Sequence, residues 1–295
     1  MRLLEDRRLV AEETIALGPG VNEYPVRFTW TPEEEGVRRL TVRVDPLEGE
    51  LTEKNNSRTL FVKVLNSRMN VVIVAGAPSP DVSLLQRELR KDRNIESQLF
   101  VRKAEGGWYD TAPTATTYSD ADCIMLVGFP AFGAGADGGG SRSTDRAALR
   151  QIAEAVEKQR VPLFLLPSRL TDFGALKQGL DAWLPFDIVQ TRGDETEVFF
   201  EAVRDASQSP ILSTGISPDV WNALPPLFKT ESSFRARAGA RVLATMRLNN
   251  ISFDEPLLLT RTLNRSKVMA WTAYGLWRWE LAYDVQDGTV PGLLI

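Results

Sequence analysis

The segment Leu166-Pro167-Ser168-Arg169-Leu170 follows an apolar run, Val161 to Leu166, that reads as a buried strand. A serine just past such a strand stands where a tight elbow would present a nucleophile. That elbow needs small residues on both sides, as in G-x-S-x-G, because the turn is strained. Here the flanking positions are Leu166 and Leu170. A hydroxyl also needs a base to take its proton, and the 295-residue chain contains no histidine. Imidazole is the only side chain whose unperturbed pKa lies between roughly pH 5 and 8. Ser-His-Asp and Cys-His chemistry and His-ligated zinc are therefore ruled out, and the expectation is no catalytic residue, no metal and no cofactor. The single cysteine, Cys123, follows Asp120-Ala121-Asp122 and leads Ile124-Met125-Leu126-Val127. Flanking acids and an apolar run disfavour a thiolate, so Cys123 reads as a small hydrophobe in a strand.

Three further places are weighed for binding. In Gly76-Ala77-Pro78-Ser79-Pro80-Asp81, Ser79 has N-cap chemistry and Pro80 suits a first helical position. A helix N-terminus there could hold an anion, or the segment is a plain strand–turn–helix junction. Gly128-Phe129-Pro130 closes another apolar run. The glycine-rich stretch from Gly133 to Ser141 lacks the lysine and spacing of a phosphate loop. It reads as a flexible loop, with Thr144 or Asp145 capping the helix that follows. In open α/β sheets, ligands bind at the carboxyl ends of the strands. That rule gathers Ser79, Phe129, Ser168 and Arg169 as the candidate ligand-binding set. Two tryptophan-bearing segments, Trp221 to Leu227 and Tyr274 to Leu281, could stack a sugar, but large aromatics more often pack cores and interfaces. Arg278, between Trp277 and Trp279, suggests stacking or an ion pair.

The elements that must position these residues change character near position 68. In residues 1–67, Leu9 to Leu17, Glu23 to Trp30, Val37 to Val44 and Arg58 to Leu65 read as strands, several alternating apolar with polar. Gly18-Pro19-Gly20, Thr31-Pro32-Glu33 and Asn55-Asn56-Ser57 supply turn chemistry between them. Four strands at this spacing predict half or more of a β-sandwich. In residues 68–295, strands are expected at Asn70 to Ala75, Ile95 to Val101, Cys123 to Val127 and Val161 to Leu166. Helices are expected after Ser79 and over Ala147 to Gln159. Apolar strands alternating with helices predict an α/β domain with a parallel sheet. Beyond Asp187 the pattern is mixed, with strands at Glu197 to Ala202, Ala240 to Arg247, Pro256 to Thr260 and Lys267 to Thr272.

Composition bounds the partners. A formal charge of −4 with no basic stripe argues against nucleic acid. The apolar run from Cys123 to Ala136 is broken by Pro130 and by glycines and is too short to span a bilayer. Met1 to Arg8 is mostly charged, unlike a signal peptide.

Several of these segments together carry a resemblance. The strand ends at Gly76 to Asp81 and Gly128-Phe129-Pro130 belong to it, as do Trp221 to Leu227, Pro256-Leu257-Leu258-Leu259 and Gly275-Leu276-Trp277-Arg278-Trp279. Residues 68–283 resemble the class I glutamine amidotransferase-like domain of large bacterial membrane proteins that also carry von Willebrand factor A-type domains. Trp277, Arg278 and Trp279 form its most specific signature. The run from Gly36 to Val42, with Gly49-Glu50 and Asn55-Asn56, resembles the end of an immunoglobulin-like, adhesion-type bacterial domain whose opening strands have no counterpart here, so an excerpt of a longer protein is expected. These resemblances imply a flavodoxin-like sheet, a membrane-anchored parent and an extracytoplasmic, periplasmic location. They do not imply glutaminase activity, because the enzymes carry a cysteine in a glycine-flanked elbow with a later histidine and glutamate. The expected function is a non-catalytic interaction or scaffolding module whose partners are other domains of its parent or other proteins. The first alternative is a module binding a sugar, peptide or anion at the strand ends. The second is a carboxylate-dependent hydrolase.

Overall fold

The computed structural model describes residues 1–16, 24–34, 36–46, 50, 52, 54–64, 68–132, 139–203, 206, 209–212 and 218–284, with the side chains of 139–144, 218, 219, 283 and 284 left out. The turn at Gly18-Pro19-Gly20, Gly49 and the glycine-rich stretch through Gly138 lie outside the described residues. The chain divides into two compact units, Met1–Ser67 and Arg68–Ile295.

The first unit holds a four-stranded antiparallel sheet: β1 (Arg2–Glu5), β2 (Arg8–Glu12), β3 (Gly36–Arg43) and β4 (Ser57–Val64), in the order β2-β1-β3-β4. Leu3 pairs with Val42 and Glu5 with Leu40. Period-2 alternation therefore places Leu3, Leu40 and Val42 on one face, where Leu3 and Leu40 are buried. Trp30 donates its indole N–H to Glu5 Oε2 at 3.3 Å. Residues 24–30 are not a strand, contrary to expectation. The four-residue β1, too short and charged to show a period, takes a place in the sheet instead. Among the described residues these strands form one sheet with no second sheet facing it.

In the second unit, nine strands among the described residues form one mixed sheet: β5 (Met69–Ala75), β6 (Ile95–Val101), β7 (Cys123–Val127), β8 (Leu163–Leu166), β10 (Glu195–Ala202), β11 (Leu227–Thr230), β13 (Ala240–Leu248), β14 (Ile251–Leu263) and β15 (Ser266–Trp271). Strands β9 (Phe186–Gln190) and β12 (Ser233–Ala236) form a separate antiparallel ribbon. The sheet order is β11-β10-β13-β14-β15-β8-β7-β5-β6. Strands β6, β5, β7, β8 and β15 run parallel. In chain order these five are arranged 2-1-3-4-5, the flavodoxin-like winding, and β10, β11, β13 and β14 extend the sheet antiparallel beyond β15.

Both faces of the parallel part are covered, which is why its central strands β7 and β8 are apolar throughout. Val71, Ile73 and Ala75 of β5 pack in one core with α1 (Pro80–Lys91) and α6 (Trp277–Asp284). Val72 and Val74 pack in the other with α2 (Ala115–Ser119), α3 (Gly139–Lys158) and α4 (Phe173–Leu180). Helix α3 starts eight residues before the expected Ala147, so Thr144 and Asp145 lie inside it and do not cap it. A short α5 (Pro218–Asn222) carries Trp221. Trp221 packs on Phe200 and Trp279, ring centres 5.6 and 6.2 Å apart, and Trp271 packs on the same two rings at 5.5 Å.

Candidate functional site

Four strand ends converge on a cavity of about 350 Å³ on the α1 side of the sheet. Ala77 to Asp81 follow β5, Gly128 follows β7, Ser168 to Leu170 follow β8, and Tyr274, Gly275 and Trp277 follow β15. Glu195 of β10 and Phe228 of β11 complete the wall. The point between β5 and β7 is where the strand order reverses, the place such sheets reserve for ligands.

Each lining group is held by a local reason. Ser79 caps α1, its Oγ accepting the Val82 N–H at 3.3 Å, and Pro80 opens the helix. Asp81, in the first turn, is 6% exposed. Its Oδ2 accepts the Gly275 N–H at 2.8 Å and its Oδ1 the Trp277 N–H at 3.3 Å. Burial pushes its pKa up, while the backbone N–H groups of Gly275, Trp277 and Leu276 pull it back. Gly275 adopts φ +91°, and a Cβ there would lie 2.9 Å from the Phe228 ring.

The Ser168 hydroxyl is engaged by its own turn. Its Oγ accepts the Leu170 N–H at 3.2 Å, and its N–H donates to Thr171 Oγ1 at 2.9 Å. Gly128, at φ +60°, leaves room for it; a Cβ there would meet Ser168 Oγ at 2.8 Å. Glycine does serve the close approach at this strand end, but on the neighbouring strand and not within the serine's own turn. On the rim, Glu195 accepts from the Tyr274 hydroxyl and faces Arg169, whose Nη1 lies 3.7 Å from Glu195 Oε2 with the arginine side chain 63% exposed.

Of the candidate binding residues, Ser79, Ser168 and Arg169 line this cavity and Phe129 does not. Phe129 is 2% exposed and packs against Trp108, ring centres 6.1 Å apart, in the α3-side core. The turn after β7 drives its ring inward, which corrects the expectation from its strand-end position. The signature residues divide three ways. Trp277 lines the cavity. Arg278 lies over Phe228 at 4.7 Å and pairs with Glu197 Oε1 at 2.7 Å. Trp279 is fully buried and donates its indole N–H to the Pro225 carbonyl at 2.7 Å. Cys123 opens β7 as a free thiol, its pKa pushed up to about 11, by burial first and then by Asp122. The sequence does not single out Glu195 or Phe228, and it marks Tyr274 only as the start of a segment that could stack a sugar. They come from three strands or strand ends far apart in the chain, and no local spacing marks them.

A second polar cluster stands at the same edge of the sheet, on the α3 side. Arg102, just past β6, and Asp145, within α3, are each 2% exposed, with Nε to Oδ1 at 2.5 Å. Arg102 Nη1 donates to the Gly107 carbonyl at 2.5 Å, its guanidinium lies 5.3 Å from the Trp108 ring centre, and Asp145 Oδ2 accepts the Ala131 N–H at 3.3 Å. Among the described residues no group of three or more His, Cys, Asp or Glu gathers as metal ligands, and no helix is long and apolar enough to cross a membrane.

No protein-family model matches the chain, and no curated protein matches it in sequence. Solved structures are similar to part of the chain at low identity. A cytoplasmic protein of Salmonella typhimurium is 16% identical at TM-score 0.48, over 70% of this chain and 89% of its own. A carbohydrate deacetylase is 12% identical at TM-score 0.45, over 70% of this chain and 29% of its own. The glutaminase domain of Trypanosoma brucei CTPS is 10% identical at TM-score 0.35, over 76% of this chain and 96% of its own. The fold assignment itself rests on the strand order.

Proposed function

We propose that residues 68–295 are a glutamine amidotransferase-type domain that no longer catalyses and instead binds a small ligand in the strand-end cavity. The observation that carries this reading is the state of Ser168. Its Oγ accepts from Leu170, and no imidazole exists in the chain to take its proton. Carboxylate catalysis is disfavoured by the same geometry. Both oxygens of Asp81 accept backbone N–H groups, and Glu195 is shared between Tyr274 and Arg169. What remains is a cleft within the roughly 300–1,000 Å³ range of small-molecule sites, with apolar walls and a few fixed polar groups. That cavity favours ligand binding over a role as scaffold alone, which would leave it without use.

The remaining parts of the reading belong to the same proposal. The first unit is the end of an immunoglobulin-like domain, supported by the antiparallel order of its four strands. The parent is an extracytoplasmic bacterial membrane protein with von Willebrand A-type domains, supported by the resemblance of the Trp277-Arg278-Trp279 segment. Two measurements test the core of it. Purified protein is expected to release no ammonia from glutamine and to cleave no p-nitrophenyl ester. Turnover that disappears in Ser168→Ala overturns the non-catalytic reading. A thermal-shift screen is expected to raise the midpoint with a native-state ligand, and a flat response across chemical classes returns the domain to a scaffolding role.

A further inference from the structure

We infer that the ligand of this cavity is a neutral carbohydrate of one or two sugar units, an inference that rests on the binding reading above. Three features of the wall select it. The first is aromatic. Phe228, Tyr274 and Trp277 all line the cavity and none is fully buried. A pyranose ring presents an apolar C–H face that packs on such rings while its hydroxyls stay at the rim.

The second feature is the rim pair. Arg169 and Glu195 approach at 3.7 Å, wider than a hydrogen bond, and both side chains keep solvent exposure. Guanidinium offers only donors and carboxylate only acceptors. A vicinal diol both donates and accepts, so it can bridge the two without leaving either charge unpaired. Ser79 adds a hydroxyl to the lining.

The third feature is electrostatic exclusion. An anion would be drawn to the N-terminus of α1, but Asp81 already occupies that first turn, and Ser79 Oγ already accepts the Val82 N–H. With Glu195 also in the wall, two carboxylates face one arginine. A cationic ligand would meet the exposed Arg169 guanidinium at the mouth. A neutral, hydroxyl-rich molecule brings no further charge into the site.

The test is isothermal titration of the full chain with glucose, galactose, mannose, N-acetylglucosamine and cellobiose, beside L-glutamate, inorganic phosphate and choline. At least one neutral sugar is expected to bind and to perturb tryptophan fluorescence. Trp277→Ala and Glu195→Gln are each expected to weaken that sugar about tenfold or more, roughly the loss of one good contact. Glu195 is a rim residue, so its variant keeps the test valid if Trp277→Ala fails to fold. Binding of glutamate, phosphate or choline with all sugars inert overturns the carbohydrate inference and leaves the binding reading standing. Sugar binding unchanged in both variants puts the site elsewhere and also overturns it. Silence from every probe counts against both.

Discussion

Two carboxylates stand at the carboxyl edge of one parallel sheet and are held in different ways. On the α3 side, Asp145 is matched by a guanidinium, and Arg102, Trp108 and the Gly107 carbonyl fill the space around the pair. On the α1 side, Asp81 is matched among the described residues by backbone N–H groups of the segment after β15. Backbone donors are thin, and they leave unfilled the volume that a long cationic side chain would occupy. The α3 side is therefore closed by a buried ion pair, and the α1 side keeps a cavity beside Asp81. The difference shows how one sheet edge can be sealed at one half and left receptive at the other. Only the form of charge compensation has to change.

The largest effect should come from breaking the sealed half. Asp145→Ala strands the Arg102 charge in a site 2% exposed, which costs about 3–5 kcal/mol. Asp81→Ala strands only neutral N–H groups, at about 1–3 kcal/mol. Urea unfolding of the two variants checks the order, and equal losses would remove the contrast between a charge-matched and a backbone-matched carboxylate.

Next in size is the junction between the halves. Gly76 follows β5, and a Cβ there would lie 2.0 Å from the Gly128 carbonyl oxygen, a backbone atom that cannot swing aside. Gly76→Ala should cost about 3 kcal/mol, at the upper end of ordinary single substitutions. Gly128→Ala meets the Ser168 hydroxyl and adds a positive φ, for about 1–3 kcal/mol. A Gly76 variant as stable as the parent would show that the two strand ends are free to separate.

The sealed half should also respond to pH. Burial, working against the pull of Arg102, pushes the Asp145 pKa up to about 6 from its ordinary 3.8. A carboxyl whose folded pKa is raised binds its proton more tightly in the native state. Its contribution to stability is therefore greatest below the unfolded value and is lost as pH rises through about 6. Parent protein should gain stability relative to Asp145→Asn as pH falls from about 7 to 4. A gap that stays constant across that window would mean the ion pair holds Asp145 at its ordinary pKa.

What residue order made legible, and what it did not, cuts across both halves. Strands β6 and β7 fall where Ile95 to Val101 and Cys123 to Val127 were expected: β7 is apolar throughout because both its faces are covered, and the edge strand β6 begins and ends in apolar residues. Ser79 as a cap follows from local chemistry alone. The start of α3 was misplaced because Gly139 and Gly140 are poor helix formers, and tertiary packing of Leu149, Ile152 and Val156 outweighs that preference. Phe129 was misjudged because the position of a strand end does not say which way its side chain turns. Glu195, Phe228 and Tyr274 meet only through the antiparallel extension of the sheet, and pairing across such distances in the chain leaves no local period to read.

The smallest effect sharpens the open half most. Ser168→Ala removes one acceptor for the Leu170 N–H beside an exposed turn, a loss of about 1 kcal/mol or less. A spent nucleophile and a working one differ in what else that substitution changes. If Ser168 only shapes the wall, the variant keeps its thermal midpoint within a few degrees and weakens a hydroxyl-bearing ligand modestly. A retained nucleophile would instead show covalent labelling of the parent by a fluorophosphonate probe and none of the variant. Absence of labelling in both, beside a measurable shift in ligand affinity, is the outcome expected of a site that has kept its shape and given up its base.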